Sequence, residues 1–329
     1  MADEARGAKL LKSSEPVIVI GMLNNPPKRP HYRGRFAPSP TGPLHFGSIV
    51  TAVGSYLEAR THDGEWLVRI ENLDKTREVV GASKHILNTL TTLGMEWDGD
   101  VLYQDQRNES YRAAFATLEY QQLIYPCTCT RKEIADSSII GEDGPIYTGI
   151  CRARSIPGAR SRAYRVKTDS RIIAFNDVLQ GRIQQRVQAS IGDFILRRTD
   201  GVYAYQLAVV VDDAEQGVTH VVRGADLLNS TPRQIYLQQL LDYSTPEYMH
   251  LPVAVNAGGE KLSKQTQAAP VDPRTPVPHL VAALSFLGQQ PPADLSECDV
   301  PSFWDWALQN WKPEIIPSIK FQFSGQFSE

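Results

Sequence analysis

The sequence predicts a parallel α/β fold with helices over its sheet, interrupted near the middle by an insertion of another kind. Three observations carry this. Strand-like and helix-like apolar spacings alternate from about residue 33 to residue 105. The alternation stops over 106–198, where cysteines, glycines and arginine-dense short strands take over. It resumes after the tight hairpin turn Thr199-Asp-Gly-Val202.

Taken in order, residues 1–31 read as an extension, because Asn24-Asn-Pro-Pro-Lys-Arg-Pro30 is a linker, although the apolar run 17–23 suits a surface strand. Residues 33–37 then read as a short strand. It runs into a loop stiffened by Pro38, Pro40 and Pro43. Ile49, Ala52, Val53, Tyr56 and Leu57 recur at helical spacing, so a helix opens after Gly47-Ser48. A strand at 65–70 and a helix carrying Ile86, Leu87, Leu90 and Leu93 follow. Beyond the insertion, the pattern resumes with Tyr205-Gln-Leu-Ala-Val-Val-Val211, His220-Val-Val-Arg223, a helix from Ser230 with Pro232 in its first turn, and Val253-Ala-Val255. The tail from Pro270 holds one expected helix around 280–287, and its last dozen residues read as loose. The expected division is an extension (1–31), two catalytic halves (32–105 and 199–268) around an inserted subdomain (106–198), and a short helical C-terminal region with a tail (269–329).

The 329 residues, 42% hydrophobic and 22% charged, describe a globular chain able to bury a large core. A formal net charge of −3 supplies no global positive field, so any nucleic-acid contact has to come from local patches. Four cysteines are too few for a secreted disulfide framework, and the run at 17–23 is too short to span a bilayer. A cytoplasmic monomer without a membrane partner is expected.

The stretch Arg35-Phe-Ala-Pro-Ser-Pro-Thr-Gly-Pro-Leu-His-Phe-Gly-Ser48 feeds a helix N-terminus, whose free N–H groups and positive dipole end suit a phosphate. Gly42 and Gly47 let backbone approach a ligand, and His45 can donate a hydrogen bond to it. Alone, such a stretch is more often a proline-rich surface turn. A second segment, Gly258-Gly-Glu-Lys-Leu-Ser-Lys-Gln265, places Lys261 and Lys264 where ammonium groups suit the charge of a departing pyrophosphate.

Together, His45-Phe-Gly-Ser48 and Lys261-Leu-Ser-Lys-Gln265 resemble the HIGH and KMSKS signatures of class I aminoacyl-tRNA synthetases. The chain more specifically resembles the glutamyl-tRNA synthetase group over roughly 33–290. The further motifs are Val68-Arg-Ile-Glu71, Ala204-Tyr-Gln-Leu-Ala-Val-Val-Val-Asp-Asp213 and Val222-Arg-Gly-Ala-Asp226. Within that group it is similar to short members that glutamylate the queuosine base in the anticodon of tRNA(Asp). The resemblance implies a Rossmann-like class I catalytic domain, an inserted zinc-bearing acceptor-type subdomain, and no anticodon-binding domain. Two positions depart from the pattern. Ser48 stands where the signature ends in His, and Asn72 where Asp usually follows Arg-Ile-Glu.

The resemblance also implies the site. L-glutamate would be held by Arg35, Phe36, Ala37, Pro38, Ser39, Glu71, Tyr205 and Arg223. Arg35 and Arg223 would take the γ-carboxylate, with the Tyr205 hydroxyl beside them, and Glu71 and Ser39 the ammonium. That charge count fits glutamate; the neutral amide of glutamine would leave an arginine unpaired. ATP, with Mg2+, would lie on His45, Gly47 and Lys264, and catalysis would involve His45, Ser48, Lys261 and Lys264. Cys127, Cys129 and Cys151 are three soft ligands suited to one structural zinc per chain, though buried inert cysteines would show the same spacing. No histidine lies between 86 and 219, and the resemblance nominates Tyr147 as fourth ligand. Cys298 stands apart and reads as structural. Arg152, Arg154, Arg160, Arg162 and Arg165 are expected to offer a local phosphate-binding face.

The implied reaction activates glutamate with ATP, without RNA, and passes it to the tRNA. The short stretch after Lys264 leaves little room for a second grip on an L-shaped tRNA, which favours the anticodon base as acceptor. Alternatives are a truncated glutamyl-tRNA synthetase charging a 3′ end, a nucleotidylyltransferase, and a non-catalytic RNA-binding paralogue.

Overall fold

The computed structural model describes residues 31–137, 139–141, 144–154, 162–262 and 274–324. The expected surface strand at 17–23, Arg160 and Lys264 lie outside the described residues.

Strands β1 (Arg33–Phe36), β2 (Glu65–Ile70) and β3 (Leu102–Tyr103) form a parallel sheet in that order, linked through helices α1 (Phe46–Thr61) and α2 (Ala82–Thr92). Helix α3 (Asn108–Tyr120) leads to β4 (Ile124–Cys127), α4 (Arg131–Ser137), the short pair β5 (Ile140–Gly141) and β6 (Gly144–Pro145), and β7 (Ala163–Val166). Next come β8 (Ile172–Asp177), β9 (Gly181–Arg186), α5 (Val187–Ser190) and β10 (Ile195–Arg197). The chain continues through α6 (Tyr205–Glu215), β11 (His220–Gly224), α7 (Thr231–Leu241), β12 (Glu247–Leu251) and β13 (Val253–Val255). It closes with α8 (Pro276–Phe286), α9 (Val300–Asn310) and β14 (Phe321–Phe323).

A second sheet has the order β11-β12-β8-β9, and β11 lies beside β1: the Thr219 N–H donates to the Arg33 carbonyl at 2.9 Å. Strand β8 falls within the stretch that sequence places in the insertion, yet it pairs in parallel with β12, Tyr248 opposite Asp177. Alternation along the inner strands sends Val222 and Met249 into a core with α1, α8 and α9, and Val221 and Tyr248 into a second core with α3, α6 and α7. Two apolar faces explain why these strands read as nearly continuous hydrophobic runs.

The run 205–211 is a helix, not a further strand of the sheet. Seven apolar or amphipathic residues carry no period that separates the two, and here it is the turn from β10 and the Ala204 cap position that start α6. The C-terminal tail is more ordered than expected. Helix α9 opens on Asp299, whose side chain accepts from the Ser302 N–H at 2.9 Å, with Pro301 in its first turn. Trp304 Nε1 donates to the Leu93 carbonyl at 2.8 Å and Trp311 Nε1 to Glu58 at 2.6 Å, which pins this region against the α1 and α2 layer. Strand β14 falls in the supposedly loose end but pairs in parallel with β13.

Gly54, in the middle of α1, costs helix propensity for a packing reason. A Cβ there would stand 2.7 Å from Leu251 Cδ1 at the end of β12. Among the described residues, no helix is long and apolar enough to cross a membrane.

Candidate active site

The loop leaving β1 is held by backbone bonds. Glu71 N–H donates to the Pro38 carbonyl at 3.0 Å, Val79 N–H to Pro40 at 2.9 Å, and Thr41 N–H to Ser39 at 2.8 Å. Gly42 turns the chain at φ +132°, where a side chain would be strained. His45 then takes the N-cap position of α1, its carbonyl accepting from the Ser48 and Ile49 N–H groups. A Cβ on Gly47 would lie 3.3 Å from the His45 ring and 3.8 Å from Ala254 of β13, so this glycine keeps the helix entrance open beside the histidine. His45, Gly47 and Ser48 therefore stand together at the carboxyl edge of the sheet.

Strand β13 leads into the lysine segment. Asn256 Oδ1 accepts from the Gly258 and Glu260 N–H groups, and Leu262 is buried, its N–H bonded to Ala254. The Lys261 ammonium forms an ion pair with Asp226, in the turn just after β11. That pairing ties the lysine segment to the Val-Arg-Gly-Ala-Asp motif.

Phe36 presents its backbone, not its ring, to the loop. Successive strand residues face opposite sides, and Phe36 turns its ring into the core against Trp66 at 6.1 Å, leaving only its backbone on the pocket side. Arg35 faces the other way. Its Nε donates to Asp213 Oδ1 at 3.1 Å, and fully buried Arg69 donates to the same oxygen at 2.6 Å. Arg69 Nε lies 3.6 Å from Glu71 Oε1. Asp213 comes from α6, two helical turns beyond Tyr205, so both stand near one face of that helix. Burial pushes the Asp213 carboxyl up, but Arg35 and Arg69 outweigh it and hold it below its ordinary value. Burial raises the Glu71 carboxyl to about 7 against the pull of Arg69 and Arg35. Burial, then Glu71, raises the Tyr205 phenol, which also lies within the field of Arg223 and Arg35.

Arg223, near the end of β11, is held on two edges. Nε donates to His250 Nε2 at 3.1 Å and Nη2 to Thr231 Oγ1 at 2.8 Å. His250 Nδ1 lies 2.5 Å from Asp177 Oδ2. Buried site atoms without a hydrogen-bond partner include Arg69 Nε and Glu71 Oε1, which face each other as an ion pair at 3.6 Å, and Arg223 Nη1, which faces no carboxylate of the described residues in the same way. Buried polar atoms are paired with few exceptions, so that guanidinium edge marks a place for a ligand.

Residues 31–275 match the family model for the catalytic domain of class I tRNA synthetases (E and Q). The glutamyl-Q tRNA(Asp) synthetase of Dechloromonas aromatica is 54% identical over 288 residues, covering 87% of this chain and 96% of that protein. The protein of the same name from Chromobacterium violaceum is 53% identical, covering 88% and 97%. The chain belongs to the glutamyl-Q tRNA(Asp) synthetase family. Among solved structures, a glutamate tRNA ligase from Elizabethkingia meningosepticum, in complex with its amino acid, superposes with a TM-score of 0.73 at 25% identity. The alignment spans 91% of this chain and 68% of that one. Glutamate-tRNA synthetase from Elizabethkingia anophelis gives 0.74 at 26%, over 91% and 69%. The mixed α/β body is thus a class I synthetase catalytic domain similar to that of glutamyl-tRNA synthetase.

Asn72, the family chain's departure after Arg-Ile-Glu, is buried and accepts from the Asp105 N–H at 3.0 Å, so here it fastens the turn after β3. The three cysteines converge with their sulfurs within 4.8 Å of one another. Tyr147 Oη lies 3.3 Å from Cys127 Sγ and 3.6 Å from Cys129 Sγ. Thiolates bound at about 2.3 Å around a tetrahedral ion sit a little under 4 Å apart, so this donor set fits a metal. Burial pushes the Cys151 thiol up, but hydrogen bonds from Tyr147 and the Thr128 backbone outweigh it and bring it to about 7. Cys298 stays apart, packed on the first core.

The arginine-rich face is only partly present. Arg165 is buried, stacked 4.0 Å over the Tyr147 ring and bonded to the Asp193 carbonyl. Arg152 forms an ion pair with Asp193, and Arg162 lies over the Tyr164 ring at 5.6 Å. Of the described members of this group, Arg152 and Arg154 are exposed. Spacing along the chain could not reveal that Asp193, far away in sequence, recruits two of these cations. Arg69, Asp213, Asp226, His250 and Asp177 are further site residues that sequence reasoning did not assign. Four of them sit in or beside the quoted motifs or the strand before Val253, and only their contacts mark them.

Proposed function

We propose that the chain activates L-glutamate with Mg-ATP in the absence of RNA and transfers the glutamyl group to the queuosine base of tRNA(Asp). The observation that carries this is the buried guanidinium edge Arg223 Nη1, left without a hydrogen-bond partner while Nε and Nη2 are held by His250 and Thr231. Arg223 and Arg35 would take the γ-carboxylate beside the Tyr205 hydroxyl, and Glu71, with Ser39 on the exposed loop, the ammonium. Ala37 and the backbone at Phe36 and Pro38 would line the pocket's loop wall.

The ATP phosphates would lie at the entrance of α1, on His45, the Gly47 backbone and Ser48, and the ammonium groups of Lys261 and Lys264 would offset the charge of the departing pyrophosphate. An α-carboxylate oxygen of glutamate attacks the α-phosphorus, and the bond to pyrophosphate breaks. A queuosine hydroxyl then attacks the glutamyl carbonyl and AMP leaves. The protein's part is positioning and charge stabilisation.

Cys127, Cys129, Cys151 and Tyr147 would hold one structural zinc, which would fasten the inserted segment and take no part in either step. The names and near-complete coverage of the relatives support queuosine as acceptor. Two RNAs test it: one carrying queuosine but lacking its terminal adenosine, one intact with unmodified guanosine. The first should accept glutamate and the second should not. The reverse pattern would identify a 3′-end synthetase.

A further inference from the structure

We infer that Asp177 and His250 form a positioning relay that fixes the Arg223 guanidinium for glutamate, so that β8 takes part in substrate selection. The inference rests on the reading of Arg223 as a carboxylate ligand and names the residues that make it one.

The hydrogen-bond roles follow from which atoms can donate. Asp177 Oδ1 accepts from three backbone N–H groups, those of Leu179, Gln180 and His250, at 3.1, 2.8 and 3.2 Å. Its other oxygen, Oδ2, remains for His250 Nδ1 at 2.5 Å, and a carboxylate only accepts, so the ring proton sits on Nδ1. Nε2 is then the acceptor, and it receives the Arg223 Nε proton at 3.1 Å. Thr231 Oγ1, accepting from Nη2, lies 3.1 Å from the same ring nitrogen, and the Tyr248 ring lies beneath both His250 and Arg223. The guanidinium is thereby held at Nε and Nη2, and Nη1 alone is left without a protein partner. Burial and the nearby Arg223 charge favour neutral imidazole, the only form that can accept from an arginine.

Asp177 stands at the end of β8, opposite Tyr248 of β12. Parallel pairing in this register brings the Asp177 carboxylate against residue 250, and so carries the tautomer signal from the 106–198 stretch to the pocket.

Asp177→Asn is the discriminating change. The amide keeps the shape and, through its oxygen, the three backbone bonds. Its NH2 then faces Nδ1, the ring proton moves to Nε2, and two donors oppose each other at Arg223. In RNA-free pyrophosphate exchange, the glutamate KM should rise at least about tenfold while the ATP KM stays within about twofold and the melting temperature is retained. Adding His250→Ala to Asp177→Asn should raise KM no further than His250→Ala alone, because the carboxylate acts only through the ring. His250→Gln, whose amide can both accept from Arg223 and donate to Asp177, should recover part of the loss seen in His250→Ala. A folded Asp177→Asn with unchanged glutamate KM, beside an Arg223→Lys that raises it, would overturn the relay and leave the pocket standing. If Arg223→Lys is also silent, pocket and relay both fall. Should Asp177→Asn not fold, a His250→Gln no better than His250→Ala overturns the relay by itself.

Discussion

The buried carboxyl of Glu71 makes glutamate binding depend on pH near neutrality, in a direction that the pocket dictates. In the empty site burial raises it from 4.5 to about 7, against Arg69 and Arg35 and helped by Asp213 and Asp212. The difference corresponds to about 3 kcal/mol of disfavoured ionisation. The substrate ammonium needs the ionised form. At pH 8 about nine-tenths of the empty sites are ionised, and at pH 6 about one in eleven, so the glutamate KM should rise roughly tenfold between pH 8 and pH 6. Neither carboxylate nor ammonium of free glutamate titrates in that window.

Stability moves the other way. A carboxyl whose folded value exceeds its unfolded value stabilises the protein below the unfolded value, and that contribution is lost as pH rises through about 7. The ligand-free protein should therefore melt lower at pH 8 than at pH 6, and glutamate should restore more of the loss at pH 8. The assay is pyrophosphate exchange at saturating ATP from pH 6 to 8.5, with Glu71→Gln as control. A KM independent of pH in the parent, or a slope retained in Glu71→Gln, would refute the assignment of Glu71 to the ammonium.

Three other outcomes follow from the same structure. Arg223→Ala should cost about 2–5 kcal/mol in kcat/KM for glutamate, with ATP binding little changed, because it leaves a substrate carboxylate facing buried groups unpaired. Metal analysis of protein purified without chelator should find about one zinc per chain, lost in Cys127→Ser, with the inserted segment cleaved faster by protease while RNA-free exchange partly survives. Gly54→Ala should lower stability by about 1–3 kcal/mol in denaturant titration, since the added methyl meets Leu251 Cδ1 at 2.7 Å; an unchanged midpoint would show that β12 yields freely there.

Much of the candidate site could be proposed from sequence because the loop from Arg35 to Ser48 and the residues around Tyr205 and Arg223 are local patterns with a direct chemical meaning. The first strands and helices were legible for the same reason, since their apolar spacing matches one period. Contacts between distant segments were not legible. Asp213 lies in a quoted motif, but nothing local shows that it bridges Arg35 and Arg69. His250 reads as an ordinary strand residue until Asp177 is found 73 positions away. Arg165 looks like a surface cation until its stacking on Tyr147 is seen. The type of the element at Tyr205–Glu215 was not legible, because a short apolar run satisfies strand and helix alike.

The seam between β1 and β11 joins Arg33 to Thr219, 186 positions apart. A ribosome adding about 5–20 residues per second needs roughly ten to forty seconds to deliver the second partner after the first. Throughout that interval β1 has one open edge, and Tyr32 lacks the His220 ring that later stacks on it at 3.9 Å. The first catalytic segment is thus born as an incomplete sheet, and the intervening stretch, with its cysteines, emerges before that sheet can close. Nascent chains of this protein should for that reason engage chaperones until β11 has left the exit tunnel.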